Sequence, residues 1–156
     1  FVVKFSGNSS SMVYFSIIRT DMKDIKMTTL ELIKNSPRHW DFIRKLRNSA
    51  KEGFIQQEHI TEIQQAEHML KYNNNYWVCL ADEKPVGYVG VIDDDIRVAT
   101  HPAFQGQGVG SFMINEIVKL FPDAVAKVKL DNEASLKLFE KCGFEKRFYL
   151  LERNAS

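Results

Sequence analysis

Gly106, Gly108 and Gly110 alternate along "HPAFQGQGVGSF", residues 101–112, and an apolar helical pattern begins at once. Glycine has no Cβ, tolerates positive φ and lets a ligand approach the main chain closely. Val109, Phe112, Met113, Leu120 and the pairs Ile114/Ile117 and Val118/Phe121 recur at three- and four-residue intervals until Pro122. That spacing predicts a helix with a buried face, stopped by proline. The first turn of such a helix offers unpaired N–H groups and a positive dipole end, so bare backbone placed there builds an anion site. A turn that only avoids clashes would account for one or two glycines, and less well for three.

The nucleotide motifs that use this physics do not fit. A P-loop requires Lys-Ser or Lys-Thr after its last glycine, and neither follows here. The dinucleotide fingerprint G-x-G-x-x-G fails at Ser111, and no acid stands clearly at the ribose position, although Asp123 and Asp131 lie nearby. The loop also begins at residue 106 of 156, too late for a full doubly wound domain.

A chain of 156 residues reads as one domain burying roughly two-thirds of its unfolded surface. Apolar content of 44%, charged content of 26% and a net charge of +1 are ordinary for a soluble globular protein. The basic residues are dispersed, which argues against a nucleic-acid footprint, and no apolar run approaches the ~20 residues of a membrane span. The polar "SGNSSS" breaks any signal-peptide layout. Cys79 and Cys142 sit inside apolar patterns and read as reduced thiols of a cytoplasmic protein. His39, His59, His68 and His101 have no metal-ligand spacing, so no metal is expected.

Residues 1–26 differ from the rest and read as an N-terminal extension or an extra edge strand, with a β-like run from Met12 to Ile18. Residues 27–156 read as a single domain. Thr29–Ile33 alternates as a strand, and Ser36-Pro37 opens a helix whose apolar face is Trp40, Ile43 and Leu46. Thr61-Glu62-Ile63-Gln64 is a capping box for a second helix through Tyr72. Tyr76–Ala81, Val86–Ile92 and Ile96–Thr100 are strands joined by tight turns. After the glycine loop and its helix come a strand from Val125 to Leu130, a helix capped by Asp131 or Asn132 and closed at Gly143, and a last strand from Phe144 to Leu151. The order is β-α-α-β-β-β-α-β-α-β.

That order resembles the GNAT superfamily of acetyl-CoA-dependent N-acetyltransferases, on two motifs. "VATHPAFQGQGVG" is similar to the family's strand, His-Pro and [Q/R]-x-x-G-x-[G/A] loop. "DNEASLKLFEKCGF", residues 131–144, is similar to the Asn-x-x-[Ala/Ser]-x-x-x-Tyr-x-x-x-Gly-Phe of its last helix. The resemblance covers roughly residues 27–152. It implies an α+β fold layered α/β/α, the acyl-CoA N-acyltransferase fold, with a mixed central sheet of about six to seven strands and four helices. It also implies acetyl-CoA as co-substrate. The pyrophosphate would lie on the main chain of Gln105, Gly106, Gln107, Gly108, Val109, Gly110 and Ser111. Val98, Ala99 and Thr100 would pair with the pantetheine arm like an added strand, and Asn132, Ser135 and Phe139 would flank it. Asparagine is also an ordinary helix cap, but the agreement of the flanking motif favours the ligand reading of Asn132.

Amide formation needs a neutral amine, a polarised carbonyl and proton handling on both sides. The family polarises the carbonyl through a strand N–H, here near Ala99 or Thr100. Asp93, Asp94 and Asp95 stand at the mouth of that strand; consecutive acids in a turn are usually solvent-facing, and Asp95 is the candidate base among them. "LRNSAKEGFI" resembles an Arg-Asn segment of one family branch. Arg47 then binds an acceptor phosphate or carboxylate, with Asn48 and Phe54 lining the cleft. Alternatively, Arg47 is an exposed arginine favoured by a helix end. Leu46 replaces that branch's usual tryptophan, and Phe139 replaces the tyrosine that protonates the leaving thiolate. The expected acceptor is a primary amine of a small molecule or amino sugar, used by a monomer or homodimer without nucleic acid or membrane. The alternatives are a protein N-terminus or lysine as acceptor, or a silent acyl-CoA-binding module.

Overall fold

The structure, a computed structural model, describes residues 3–4, 13–20 and 24–153, with side chains from residue 28 onward. Of the leading segment, the rest of residues 1–26 lies outside the described residues. The described strands are β1 (Val3–Lys4), β2 (Val13–Thr20), β3 (Asp24–Lys34), β4 (Tyr76–Ala81), β5 (Lys84–Ile92) and β6 (Asp95–Thr100). They form one sheet in sequence order, every neighbour antiparallel. The described helices are α1 (Trp40–Ser49), α2 (Glu62–Tyr72), α3 (Val109–Leu120) and α4 (Glu133–Lys141).

Strand alternation sorts the side chains between two cores. On one face, Tyr76, Val78, Tyr88, Ile92 and Ala99 pack with Ile43 and Leu46 of α1 and Met69 of α2. On the other, Trp77, Cys79, Val89, Val91 and Ile96 pack with Val109, Phe112, Met113 and Ile117 of α3 and Phe139 of α4. The layers are therefore helix, sheet, helix, as the family resemblance implies. Thr61 and Gln64 form the reciprocal capping box of α2, and Gly143, at φ 90, ends α4 in the left-handed region. Ser36 makes no cap hydrogen bond; a 3-10 turn over Pro37–His39 leads into α1 instead.

Two expected strands do not form, and the sheet is not mixed. Residues 125–130 make one parallel bridge, Asp95 to Val125, and then part from β6. Residues 144–151 have no ladder, and Phe148, Tyr149, Leu150 and Leu151 are exposed. A strand exists only where a partner's N–H and C=O groups face it. Here the departure of the 126–130 segment leaves the outer edge of β6 open.

Candidate active site

The open edge of β6 is one wall of a cleft of about 1330 Å³. The glycine loop lies at one end. Gly106 and Gly108 have φ of 72 and 85, which an L side chain adopts only with strain, and a Cβ on either would meet no heavy atom within 4 Å. The glycines thus serve backbone conformation and leave open space above it. Gly110 differs: its Cβ would stand 2.9 Å from Leu138 Cδ2, so it lets α3 approach α4. The first bond of α3 runs from Phe112 N–H to Gly108 C=O at 2.9 Å, leaving the N–H groups of the preceding turn without partners inside the helix.

The side chains of this loop brace it. Gln105 donates to Thr100 C=O at 3.4 Å and Gln107 to Ala103 C=O at 3.0 Å, while His101 Nδ1 accepts from Ala103 N–H. Val109 points into the core at 2% exposure. Gln105, Gly106, Gly108, Gly110 and Ser111 line the cleft, as do Val98, Ala99 and Thr100. Gln107 and Val109 do not, and have only main chain to offer a ligand.

Across the cleft, α4 presents Asn132, Ser135 and Phe139. Asn132 is occupied at both ends of its amide: Oδ1 accepts from Ser135 N–H, capping α4, and Nδ2 donates to Gly53 C=O at 3.1 Å. Lys129 Nζ donates to Glu52 C=O beside it at 2.9 Å. The loop after α1 is thereby tied to the start of α4. Phe139 is 4% exposed and packs edge-on against Phe144 at 5.1 Å between ring centres.

Arg47 enters from α1 with its guanidinium over the Phe54 ring, 4.0 Å from the centroid. Nη2 donates to Gln56 C=O, while Nη1 is buried without a partner. Burial is the main influence lowering the pKa of Arg47. Asn48 does other work than expected. Its amide accepts from Ile60 N–H at 2.8 Å and donates to Ile60 C=O at 2.9 Å, clamping the ends of the 50–60 loop, and it does not line the cleft. Asp93 and Asp94 form the turn before β6 at φ 51 and 60. Asp95 lines the cleft, but its Oδ1 accepts from Lys127 N–H at 3.1 Å and fastens the diverging segment.

The same cleft contains His68 of α2, Tyr76 of β4 and Arg97 of β6, none signalled by a sequence motif. Local spacing cannot reveal them, because three elements meet there only in the folded sheet. Among the described residues no cluster of His, Cys, Asp or Glu is arranged to hold a metal ion, and no helix is long and apolar enough to cross a membrane.

Known proteins share this fold. A domain from Methanocaldococcus jannaschii DSM 2661 superposes with a TM-score of 0.67 at 20% identity, over 77% of this chain and 90% of that one. The aminoglycoside N-acetyltransferase AAC(6')-Iy, in complex with CoA, gives 0.64 at 13% identity, over 84% and 98% of the two chains. The microcin C7 self-immunity acetyltransferase MccE, in complex with acetyl-CoA and AMP, gives 0.58 at 16% identity, over 74% and 78%. At such identities these likenesses concern the fold. The model of the acetyltransferase (GNAT) family matches residues 40–144, from the start of α1 through Phe144, and so takes in the glycine loop, the open strand edge and α4. The chain belongs to the acetyltransferase (GNAT) family, enzymes that draw their acetyl group from acetyl-CoA.

Proposed function

We propose that the protein transfers the acetyl group of acetyl-CoA to a primary amine of a small molecule or amino sugar. One observation carries the reading. The glycine loop, the unpaired edge of β6 and the Arg47–Phe54 pair open into one continuous cleft. Donor and acceptor can then meet without a change of fold.

The residues suit the donor. Main-chain N–H groups at the start of α3 suit a pyrophosphate, and the open space over Gly106 and Gly108 admits it. The edge from Val98 to Thr100 suits an amide-containing arm that adds as a strand. Asn132 would serve that arm by exchanging its bond to Gly53 C=O, so donor binding would loosen the loop after α1. Bound acetyl-CoA supplies a thioester carbon for attack; a strand N–H near Ala99 would polarise its oxygen.

Acceptor size follows from the loop. Residues 53–60 wall the cleft, and the ties from Glu52 to Lys129 and from Gly53 to Asn132, just ahead of α4, bridge it. This arrangement favours a small amine over an extended polypeptide. Arg47, with one buried unpartnered nitrogen, is the proposed contact to an anionic group on the acceptor. We propose one catalytic unit from residue 27 onward, with the leading strands as an addition to its sheet.

The test is thiol release from acetyl-CoA with amino sugars, small primary amines and lysyl peptides. Release with the small amines in preference to the peptides is expected. Preference for peptides would overturn the acceptor assignment, and no release with any amine would leave an acyl-CoA-binding module.

A further inference from the structure

Tyr76 is the first residue of β4, and its cross-strand partner on β5 is Gly90. Gly90 pairs in turn with Arg97 on β6, so the three form one row across the sheet. A Cβ on Gly90 would stand 2.5 Å from both Cδ1 and Cε1 of Tyr76. Only glycine lets that ring lie flat over the middle strand. From above, α2 brings His68 Nε2 to 3.0 Å from the Tyr76 hydroxyl. The imidazole is further held by the Tyr72 ring, 4.8 Å away between centres. On β6 the next residue of the same face after Arg97 is Ala99, about 7 Å along the strand. Both line the cleft with His68 and Tyr76.

Resting on the proposed acetyl transfer, we infer that His68 and Tyr76 are the pair that removes the proton from the acceptor amine. The amine nitrogen attacks the thioester carbon, a C–N bond forms, and the C=O π pair moves onto oxygen, where the strand N–H near Ala99 meets it. The resulting N–H⁺ donates to the Tyr76 oxygen while the Tyr76 proton passes to His68 Nε2. The oxyanion pair then re-forms C=O and the C–S bond breaks with its electron pair on sulfur. The imidazolium gives its proton to the CoA thiolate, directly or through an intervening water, which restores neutral His68. Nitrogen in the adduct is far more acidic than a free ammonium ion, so imidazole is base enough.

The surroundings suit this role. The groups facing His68 are Arg97 from β6, Lys71 and Tyr72 from its own helix and Tyr76 from β4, with Arg47 from α1 acting on Tyr76. No carboxylate is among them. Burial first, then the charges of Arg97 and Lys71, lower the His68 pKa and keep the ring neutral and able to accept. The same cations favour an amine that arrives unprotonated. The acids at the mouth of β6 are worse placed, since Asp93 and Asp94 form a tight turn and Asp95 holds Lys127 N–H.

The experiment uses the whole chain, acetyl-CoA and the fastest amine among glucosamine, a small alkyl amine and a lysyl peptide. In His68→Gln, kcat should fall by about 10²-fold or more, the usual scale of general base catalysis. Affinity for acetyl-CoA should hold. The wild-type loss of kcat at saturating amine on acidification below the ordinary histidine range should vanish in that variant, while kcat/KM keeps the limb set by protonation of the amine. Imidazole in solution should partly rescue His68→Ala, a response that a packing defect would not give. Tyr76→Phe keeps the ring over Gly90 and should lower kcat with little change in KM, a check that survives should a His68 variant fail to fold. If wild type turns over while His68→Gln retains its rate and acidic limb, this assignment is overturned and the acetyl transfer stands. If wild type acetylates no amine, the proposed function itself falls.

Discussion

Gly106, Gly108 and Gly110 look alike in the sequence, yet they do two different things in the fold. The first two hold left-handed backbone under open space, whereas the third clears room for Leu138. Alternation alone predicts a bare loop; it does not reveal which glycine faces a ligand and which faces a helix. Gly108→Glu should cost about 1–2 kcal/mol for left-handed backbone and, more tellingly, abolish CoA binding through blocked approach and repulsion. Calorimetry on the folded variant checks this, and unchanged CoA affinity would sink the pyrophosphate assignment. Gly110→Ala should retain CoA affinity while lowering Tm, because its added methyl meets Leu138 instead of solvent. Arg47→Ala should raise the acceptor KM and leave acetyl-CoA affinity nearly intact. Equal loss on both sides would move Arg47 to the donor half of the cleft.

At the scale of elements, the helices were more legible than the last strands. The α3 periodicity, the Thr61–Gln64 box and Gly143 are local signals, and each is satisfied locally. Residues 125–130 and 144–151 have strand-like composition, but a ladder needs a partner that composition does not supply. Asp95 is the pivot: it bridges to Val125, holds Lys127 N–H and lets the following segment leave. The unformed pairing is what exposes the β6 edge. His68, Tyr76 and Arg97 escaped sequence reading for the matching reason, since 28 positions separate the first from the last. On α4, Phe139 stands where the family tyrosine would. Its burial against Phe144 makes Phe139→Ala costly, about 3–5 kcal/mol. Phe139→Tyr should raise kcat modestly, less than the 10²–10⁴-fold ceiling of general acid catalysis. A thiol leaves near neutral pH with little help, its pKa being about 8.5. No change in kcat would locate the slow step at the acceptor amine.

Across the whole molecule, burial of titratable groups on both sides of the sheet sets a pH window for stability. His39, 7% exposed beside Ser36, has its pKa lowered from 6.5, by burial first and then by Arg38. His68 is lowered by burial, then by Arg97 and Lys71. A histidine with a depressed folded-state pKa binds fewer protons when folded than when unfolded. Stability therefore rises with pH between the folded value and 6.5, and is lost as pH falls through that interval. Cys79 behaves in the opposite sense. Burial pushes its thiol up from 9.0 to about 12, so the folded chain holds a proton that the unfolded chain releases. That contribution is full below 9.0 and declines as pH rises toward 12. Asp41, lowered from 3.8 by hydrogen bonds from Lys45 and Arg44, acts only under strongly acidic conditions. Tm should accordingly be flat between pH 6.5 and 9.0 and fall on either side. His39→Gln, which keeps a neutral polar side chain at that position, should lessen the acidic fall to the share carried by His68, without moving the alkaline one. Cys79→Ala should lessen the alkaline fall, which Cys142, Tyr76 and Tyr88, all raised by burial, still sustain, at a packing cost that shifts the whole curve down. Thermal melts across the range decide it: a Tm that rises on acidification from pH 6.5 would mean that these histidines gain partners on folding and are not merely buried.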